Sequence, residues 1–185
     1  PSHASEPGVT FLGFADPMCK WLKNRRLWKS GYLRPDDGWK GTENFARNRV
    51  SIFYESLLEN LSEQWEKPSK KGSKNWLKTG YAFAVINIVF ISMVEFYGGL
   101  PRYKSRWNGK QYQPLIRSFT EDLADAILDP RVGFDRENTD ITKAANDSLR
   151  KEFATDILVY LRSTHSKYKE LAPELDDDTS LEIVA

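Results

Sequence analysis

Lysine and arginine cluster with aromatic residues in three stretches of the chain, residues 20–29, 67–78 and 102–112. Cations neutralise phosphate groups, and exposed aromatic rings stack on unpaired bases. The pattern therefore predicts a surface for DNA or RNA. The predicted contact residues are Lys23, Arg25, Arg26, Lys70, Lys71, Lys74, Arg102, Tyr103, Lys104, Arg106 and Trp107, with Tyr103 and Trp107 as the stacking groups.

A second interpretation of the same stretches is structural. Aromatic rings bury large areas and usually do so inside a protein, while lysine and arginine keep a surface soluble. Exposed tryptophans can also anchor a protein partner. The alternative function is therefore a protein–protein interaction scaffold or the C-terminal domain of a larger protein.

Basic and acidic residues are unevenly divided along the chain. Residues 1–110 contain 18 lysines and arginines against 10 carboxylates, whereas residues 111–185 contain 9 against 16, although the whole chain carries a net charge of only +1. Such a division predicts a basic face for a polyanion, with the acidic part directed away from it or screening it. The alternative is that the two halves attract each other and fold together.

Zinc sites and phosphate-binding glycine loops lack the residues that they require. A zinc site needs several closely spaced Cys or His ligands, and the chain contains only Cys19, His3 and His165. Its glycines do not follow the spacing of a nucleotide-binding loop. We therefore expect no cofactor, a buried structural role for Cys19, and a solvent-facing His165.

Carboxylate pairs are the remaining candidates for catalysis. Three acidic clusters, at residues 36–37, 121–125 and 135–137, could bind Mg²⁺, although such pairs are common on exposed helix faces. We expect a non-catalytic protein. The alternative is a Mg²⁺-dependent enzyme that uses Asp36, Asp37, Asp122 or Asp135.

The elements that must position these residues are predicted to be helices. The chain shows neither a strand–turn–strand pattern nor alternating β and α units. The fold class is therefore mainly α, with about five helices packed around a central apolar helix over roughly residues 76–97, and with a loop over residues 102–114. The other predicted helices cover residues 17–29, about 42 to 67 with Pro68 as the stop, 114–128, and 139 or 140 to about 171.

The apolar stretch at residues 76–97 allows three interpretations. A buried central helix is favoured by its length and isolation. A pair of strands is the second, because five β-branched residues lie between Val85 and Ile91. A membrane span is the third, favoured by the basic flanks, although the run is short for a span and Asn87 near its middle would be costly in lipid. If the helix is buried, Asn87 and Glu95 must find partners or reach the surface.

The chain is predicted to form one helical domain at residues 11–172, with flexible tails at residues 1–10 and 174–185. The second tail includes the acidic run Asp176–Asp178. The single cysteine is typical of a reducing compartment, so we expect a cytoplasmic protein without a membrane partner.

Residues 47–94 carry a recognisable order of features. An amphipathic helix with Tyr54 and Leu58 ends near Trp65, and residues 77–80 (LKTG) lead into the apolar helix. This order resembles the helical C-terminal region of bacterial DGQHR-domain proteins, which are associated with DNA modification and phage defence. The resemblance implies a nucleic-acid-related role in such a bacterial system. The motif that names the family is absent from this sequence, so the resemblance assigns no site residue.

Overall fold

The computed structural model describes residues 42–66, 77, 79–132 and 147–171. In these residues it contains six α-helices and no strand, which confirms the predicted mainly α class. The predicted helix over residues 17–29 and both predicted tails lie outside the described residues. The helices are α1 (Thr42–Asn60), α2 (Ser62–Glu66), α3 (Gly80–Gly99), α4 (Pro101–Asn108), α5 (Tyr112–Leu128) and α6 (Asp147–Thr164), followed by a 3₁₀ turn at Ser166–Tyr168.

The predicted apolar stretch forms the central helix α3, so the strand interpretation is wrong. Thr79 caps its start, where the side-chain Oγ1 accepts a hydrogen bond from the Ala82 N–H at 3.2 Å. Its end follows the pair of glycines at 98 and 99, and Pro101 then begins the next helix. Most side chains of α3 are buried on all sides, which explains why the sequence lacks an amphipathic period there.

Helix α3 is also, among the described residues, the one helix long and apolar enough to cross a membrane. Of its most apolar 18-residue window, 78 % is buried within the protein. Length and composition are therefore weak evidence for a span here, because a buried core helix has the same properties.

Side chains from four helices close around α3. Helices α1 and α5 lie side by side, and α6 packs on both α3 and α5. Phe53 of α1 meets Phe90 of α3 edge-on at 4.7 Å between ring centroids, and Phe119 of α5 meets Tyr97 of α3 at 6.2 Å. The core therefore holds α4, the short helix between α3 and α5, on a fixed base.

The buried polar residue Asn87 in α3 has a hydrogen-bond partner, as its burial requires. The Tyr54 hydroxyl of α1 donates a hydrogen bond to Asn87 Oδ1. Burial raises the pKa of Tyr54 far above its ordinary value, so the hydroxyl keeps its proton and remains a donor. The Asn87 side-chain nitrogen Nδ2 has no hydrogen-bond partner.

The predicted loop over residues 102–114 is wrong, because its first part is helix α4. Pro101 occupies the first turn, where its missing N–H costs nothing. Tyr103 and Trp107 are four residues apart, so one helix face turns both rings toward the core. The helix ends at Gly109, where a Cβ atom would lie 2.9 Å from the Ser105 carbonyl oxygen.

Two predicted helix ends also differ. The helix predicted to reach Pro68 is interrupted at Leu61, which separates α1 from α2. The last helix ends at Thr164 instead of near residue 171. The side chains of Ser163 and Thr164 donate hydrogen bonds to the Tyr160 carbonyl at 2.9 and 2.7 Å, and the next residue, His165, is extended. Such side-chain bonds compete with the helical ones at this end.

Candidate functional site

Helix α4 and the turn after it carry four exposed cations. We call Arg102, Lys104, Arg106 and Lys110 the basic ridge. They belong to a longer segment, residues 96–120, that contains five lysines and arginines and no carboxylate. This excess of positive charge gives the ridge a positive potential, which favours the binding of an anion.

Three of the four ridge cations have no carboxylate partner among the described residues. They are Lys104, Arg106 and Lys110. The fourth, Arg102, is paired through Nη1 with Glu170 Oε1 at 2.6 Å, and about half of each side chain is exposed. The ridge therefore has cationic groups available to a ligand.

The two aromatic residues predicted to stack on bases point away from solvent. Trp107 is fully buried, and its ring lies on that of Tyr97 with centroids 6.0 Å apart. Tyr103 is half-buried between Phe96 and Tyr97, at 5.3 and 5.1 Å. The structural interpretation of these rings is therefore the one that the geometry favours, and we do not retain a stacking role for Trp107.

The rest of the described surface also lacks rings for stacking. Within residues 42–66, 77, 79–132 and 147–171, the one exposed large hydrophobic side chain is Val159. The predicted contact residues Lys23, Arg25, Arg26, Lys70, Lys71 and Lys74 lie outside the described residues.

Arg49 of α1 anchors the far end of α4 from within the core. It is only 2 % exposed. Its Nη1 donates to the Phe45 carbonyl at 3.0 Å and its Nη2 donates to the Trp107 carbonyl. Trp107 stands one residue before the end of α4, where carbonyls have no partner within the helix and carry its partial negative charge. The guanidinium therefore caps α4 and fixes it against α1.

Aromatic faces surround the Arg49 charge where a carboxylate would be expected. The guanidinium carbon lies 3.2 Å from the centroid of the Phe45 ring and 4.1 Å from that of Tyr112. The negative faces of these rings attract a cation. Burial lowers the pKa of Arg49 to about 9, which leaves it charged at neutral pH. The described residues place no carboxylate in an ion pair with it.

Arg49 is absent from the predicted site, although the sequence contains a signal for it. Phe45, Arg49 and Phe53 follow one another at intervals of four residues, so the arginine lies on the apolar stripe of α1. A charged residue on such a stripe must be compensated by partners from elsewhere. The local pattern does not say that those partners include the end of α4.

A second group of charged residues joins α5 to the chain after α6. We call Ser118, Asp122, His165, Lys167 and Tyr168 the Asp122 cluster. The Tyr168 hydroxyl donates to Asp122 Oδ2 at 2.6 Å, and Lys167 Nζ contacts the same oxygen. His165 Nδ1 lies 3.4 Å from Asp122 Oδ1, and Lys167 Nζ donates to Ser118 Oγ at 2.9 Å. His165, which was expected to face solvent, is partly exposed, with 27 % of its side chain accessible, and it also lies beside this carboxylate.

The cluster fixes the 3₁₀ turn on α5. Tyr168 is 1 % exposed, and burial raises its pKa far above the ordinary value, so its hydroxyl stays protonated as a donor. Burial raises the pKa of Tyr97 of α3 in the same way. Three separate parts of the chain meet at these hydroxyls.

The carboxylates considered for Mg²⁺ do not form a site within the described part of the chain. Asp122 is committed to Tyr168 and Lys167, whereas Glu121 and Asp125 are exposed. No group of three or more Asp, Glu, His or Cys residues is placed there to hold a metal ion. Asp36, Asp37 and Asp135 lie outside the described residues.

Comparison with protein-family models, with curated proteins and with solved structures found no match to this chain. The resemblance to the helical region of DGQHR-domain proteins stays a prediction.

Proposed function

We propose that this helical domain binds nucleic acid through the phosphate groups, using the basic ridge. The observation that carries the proposal is that Lys104, Arg106 and Lys110 are each exposed on α4 or the turn after it, with no carboxylate partner among the described residues. A polyanion neutralises such a group of cations and releases counterions, which supplies most of the affinity of sequence-independent binding.

The mode of binding follows from the direction of the aromatic rings. Because Tyr103 and Trp107 pack into the core, the ridge offers charged groups and no stacking platform. Phosphate contacts position a protein on nucleic acid and carry no sequence information. We therefore propose sequence-independent binding by the ridge, with duplex bound at least as well as single strands.

The packing beneath α4 suits it to this task. The Trp107 carbonyl is held by Arg49, and the Tyr103 ring is held between Phe96 and Tyr97. A binding surface is more effective when its supports fix it before the ligand arrives. Arg49 is thus a positioning residue for the ridge and does not itself meet the ligand.

The proposed setting is a cytoplasmic, bacterial DNA-modification or defence system. The resemblance over residues 47–94 supports this setting. In it, the chain would hold a partner protein or a further part of its own system on DNA without performing chemistry itself.

The test measures binding of fluorescent random-sequence duplex and single-stranded DNA and RNA across a series of KCl concentrations. One variant removes the three ridge charges that have no carboxylate partner among the described residues. A matched control removes three charges away from α4. The ridge variant is K104Q/R106Q/K110Q and the control is R131Q/K151Q/R162Q.

We expect the wild-type affinity to fall steeply with salt and the ridge variant to lose about tenfold or more at low salt. Each lost phosphate contact reduces the slope of log affinity against log salt by about 0.9 for duplex DNA. The control should retain the wild-type slope, and all three proteins should have similar melting temperatures.

Absence of binding at low salt, or equal losses in the ridge variant and the control, would overturn the proposal. Salt-insensitive self-association without any affinity for DNA or RNA would favour the scaffold function instead.

A further inference from the structure

The basic ridge already has one acidic neighbour, which comes from the end of the described chain. Glu170 lies immediately after the 3₁₀ turn and pairs with Arg102 of α4 at 2.6 Å. The next residue, Leu171, is 1 % exposed and packs in the core. Residues 172–185 therefore begin at a fixed point beside the ridge.

Residues 172–185 carry a charge opposite to that of the ridge. Residues 172–185 contain no lysine or arginine and five carboxylates: Glu174, Asp176, Asp177, Asp178 and Glu182. The two oppositely charged groups thus start next to each other, with the Arg102–Glu170 ion pair at the junction.

We propose that the acidic segment 172–185 binds the basic ridge of the same molecule and competes there with nucleic acid. The contact is favoured by the opposite charges of the two groups and by the position of Leu171, where the segment begins. The competition rests on the function proposed above, and the segment then lowers the affinity for weak or short polyanions.

The segment is long enough to cover the whole ridge. An extended chain spans at most about 3.3–3.6 Å per residue, so this segment reaches up to roughly 50 Å from Leu171. Helix α4 is about 12 Å long, since an α-helix rises about 1.5 Å per residue. Lys104, Arg106 and Lys110 therefore all lie within its reach.

Attachment at Leu171 makes the competition effective. A segment joined by a short linker is present at its site at an effective concentration of millimolar order, even when each ion pair is weak. Exposed ion pairs are screened over about 10 Å at 0.1 M salt, so the contact weakens as salt rises. If the segment covers the ridge nine-tenths of the time at low salt, the apparent Kd rises about tenfold.

The experiment uses the full chain with its tail carboxylates neutralised. A matched control has the same change in net charge on exposed carboxylates of the folded part, so any effect of overall charge appears in both. The tail variant is E174Q/D176N/D177N/D178N/E182Q, and the control is E55Q/E63Q/E66Q/D125N/E152Q.

The first readout needs no nucleic acid. A limiting amount of an amine-acylating reagent is added, and modification at each lysine is followed by mass spectrometry. We expect Lys104 and Lys110 to react at least twofold faster in the tail variant than in wild type or the control at low salt. Lys151 of α6 serves as the internal reference, with no change.

The second readout is affinity for a short random-sequence duplex. We expect the tail variant to bind several-fold more tightly than wild type at low salt, with the ratio approaching one at high salt. The control should bind less tightly than the tail variant, although both carry the same net charge.

Each combination of results decides one of the two proposals. Unchanged lysine reactivity in the tail variant overturns the intramolecular contact, whatever the affinities are. Faster reactivity with no binding by any protein supports the contact and overturns nucleic-acid binding. Faster reactivity with equally tight binding by tail variant and control overturns the competition, since net charge then explains the affinity.

Discussion

Arg49 and Asp122 are two charged residues at helix junctions, and the protein stabilises their charges in different ways. Arg49 is buried among aromatic rings and backbone carbonyls, with no carboxylate in an ion pair from the described residues. Asp122 is 14 % exposed and accepts contacts from the side chains of Tyr168, Lys167 and His165. One site uses dipoles and π-faces, and the other uses ionisable side chains.

The difference determines how each junction responds to conditions. Main-chain carbonyls and aromatic faces do not titrate at ordinary pH and are hardly screened when buried. Arg49 therefore fixes α4 to α1 over a wide range of salt and at pH values below about 9. The Asp122 cluster joins residues 165–168 to α5 through partly exposed charges, which salt screens.

The largest effect is expected from R49A. This change leaves a cavity among Phe45, Trp107 and Tyr112 and removes the donors to two carbonyls. Large-to-small changes at buried sites cost about 2–5 kcal/mol, so we expect the free energy of unfolding to fall by about 3 kcal/mol. Urea denaturation measures it, with R47A on the exposed face of α1 as the control at under about 0.5 kcal/mol. A loss below about 1 kcal/mol for R49A would contradict the anchoring role.

The variant R49M separates the Arg49 charge from its volume. Methionine fills much of the same space and needs no solvation, so we expect a loss of about 1–2 kcal/mol. An unchanged free energy of unfolding would show that packing alone holds α4. Binding to DNA then shows whether the ridge needs the guanidinium for its position.

The next largest effect is expected from D122A. This change leaves the buried Tyr168 hydroxyl without its carboxylate acceptor and Lys167 without its counter-charge, which costs about 2 kcal/mol. D125A, on the same helix but exposed, is the matched control. D122N keeps one acceptor oxygen and should lose about half as much. Equal losses for D122A and D125A in urea denaturation would show that the cluster contributes nothing to stability.

Alkaline pH should distinguish the two sites by the sign of their response. The pKa of Tyr168 is raised in the folded state, whereas in the unfolded chain it is near 10. Above pH 10 the unfolded state loses this proton and the folded state keeps it, so stability falls by about 1.4 kcal/mol per pH unit for each such tyrosine. Y168F should cost about 1 kcal/mol at neutral pH and reduce that slope by one tyrosine's share. An unchanged slope would contradict the buried, protonated hydroxyl.

Arg49 responds to alkaline pH in the opposite direction. Its pKa is lowered to about 9 by burial, so above pH 9 the folded state releases a proton that the unfolded state retains. This group therefore makes stability rise with pH between about 9 and its ordinary value. R49M should accordingly steepen the alkaline loss of stability relative to wild type, in denaturant titrations at pH 9 to 11.

The central helix and the class of fold could be predicted because their signals are local. The apolar run of α3, its stop at two glycines and a proline, and the need of Asn87 for a partner are all visible in the chain. The direction of Trp107 could not be predicted, because a tryptophan beside cations fits either a core or a surface. The four-residue spacing of Tyr103 and Trp107 was the available sequence signal that α4 is a helix. The signal was weak because the helix is only eight residues long.

The contacts of Arg49 and Asp122 at the helix junctions could not be predicted, because their partners are remote in the sequence. Arg49 lies on a visible apolar stripe, but the Trp107 carbonyl that it binds is 58 residues away. Asp122 and Tyr168 are 46 residues apart and meet only when the 3₁₀ turn folds onto α5. Sequence patterns identify residues that need a partner, and only the packing of helices selects which one.

The smallest effect is expected from an ion pair that is exposed on both sides. Arg117 Nη1 of α5 lies 3.1 Å from Glu59 Oε2 of α1, with 52 % and 66 % of their side chains exposed. Water already solvates both charges, so E59Q should change the free energy of unfolding by under about 0.5 kcal/mol, with the double variant E59Q/R117Q showing no further coupling. If E59Q lowered the free energy of unfolding nearly as much as D122A does, side-chain exposure would not explain why the two sites differ in stability. The contrast between Arg49 and Asp122 would then have to be explained by something other than burial.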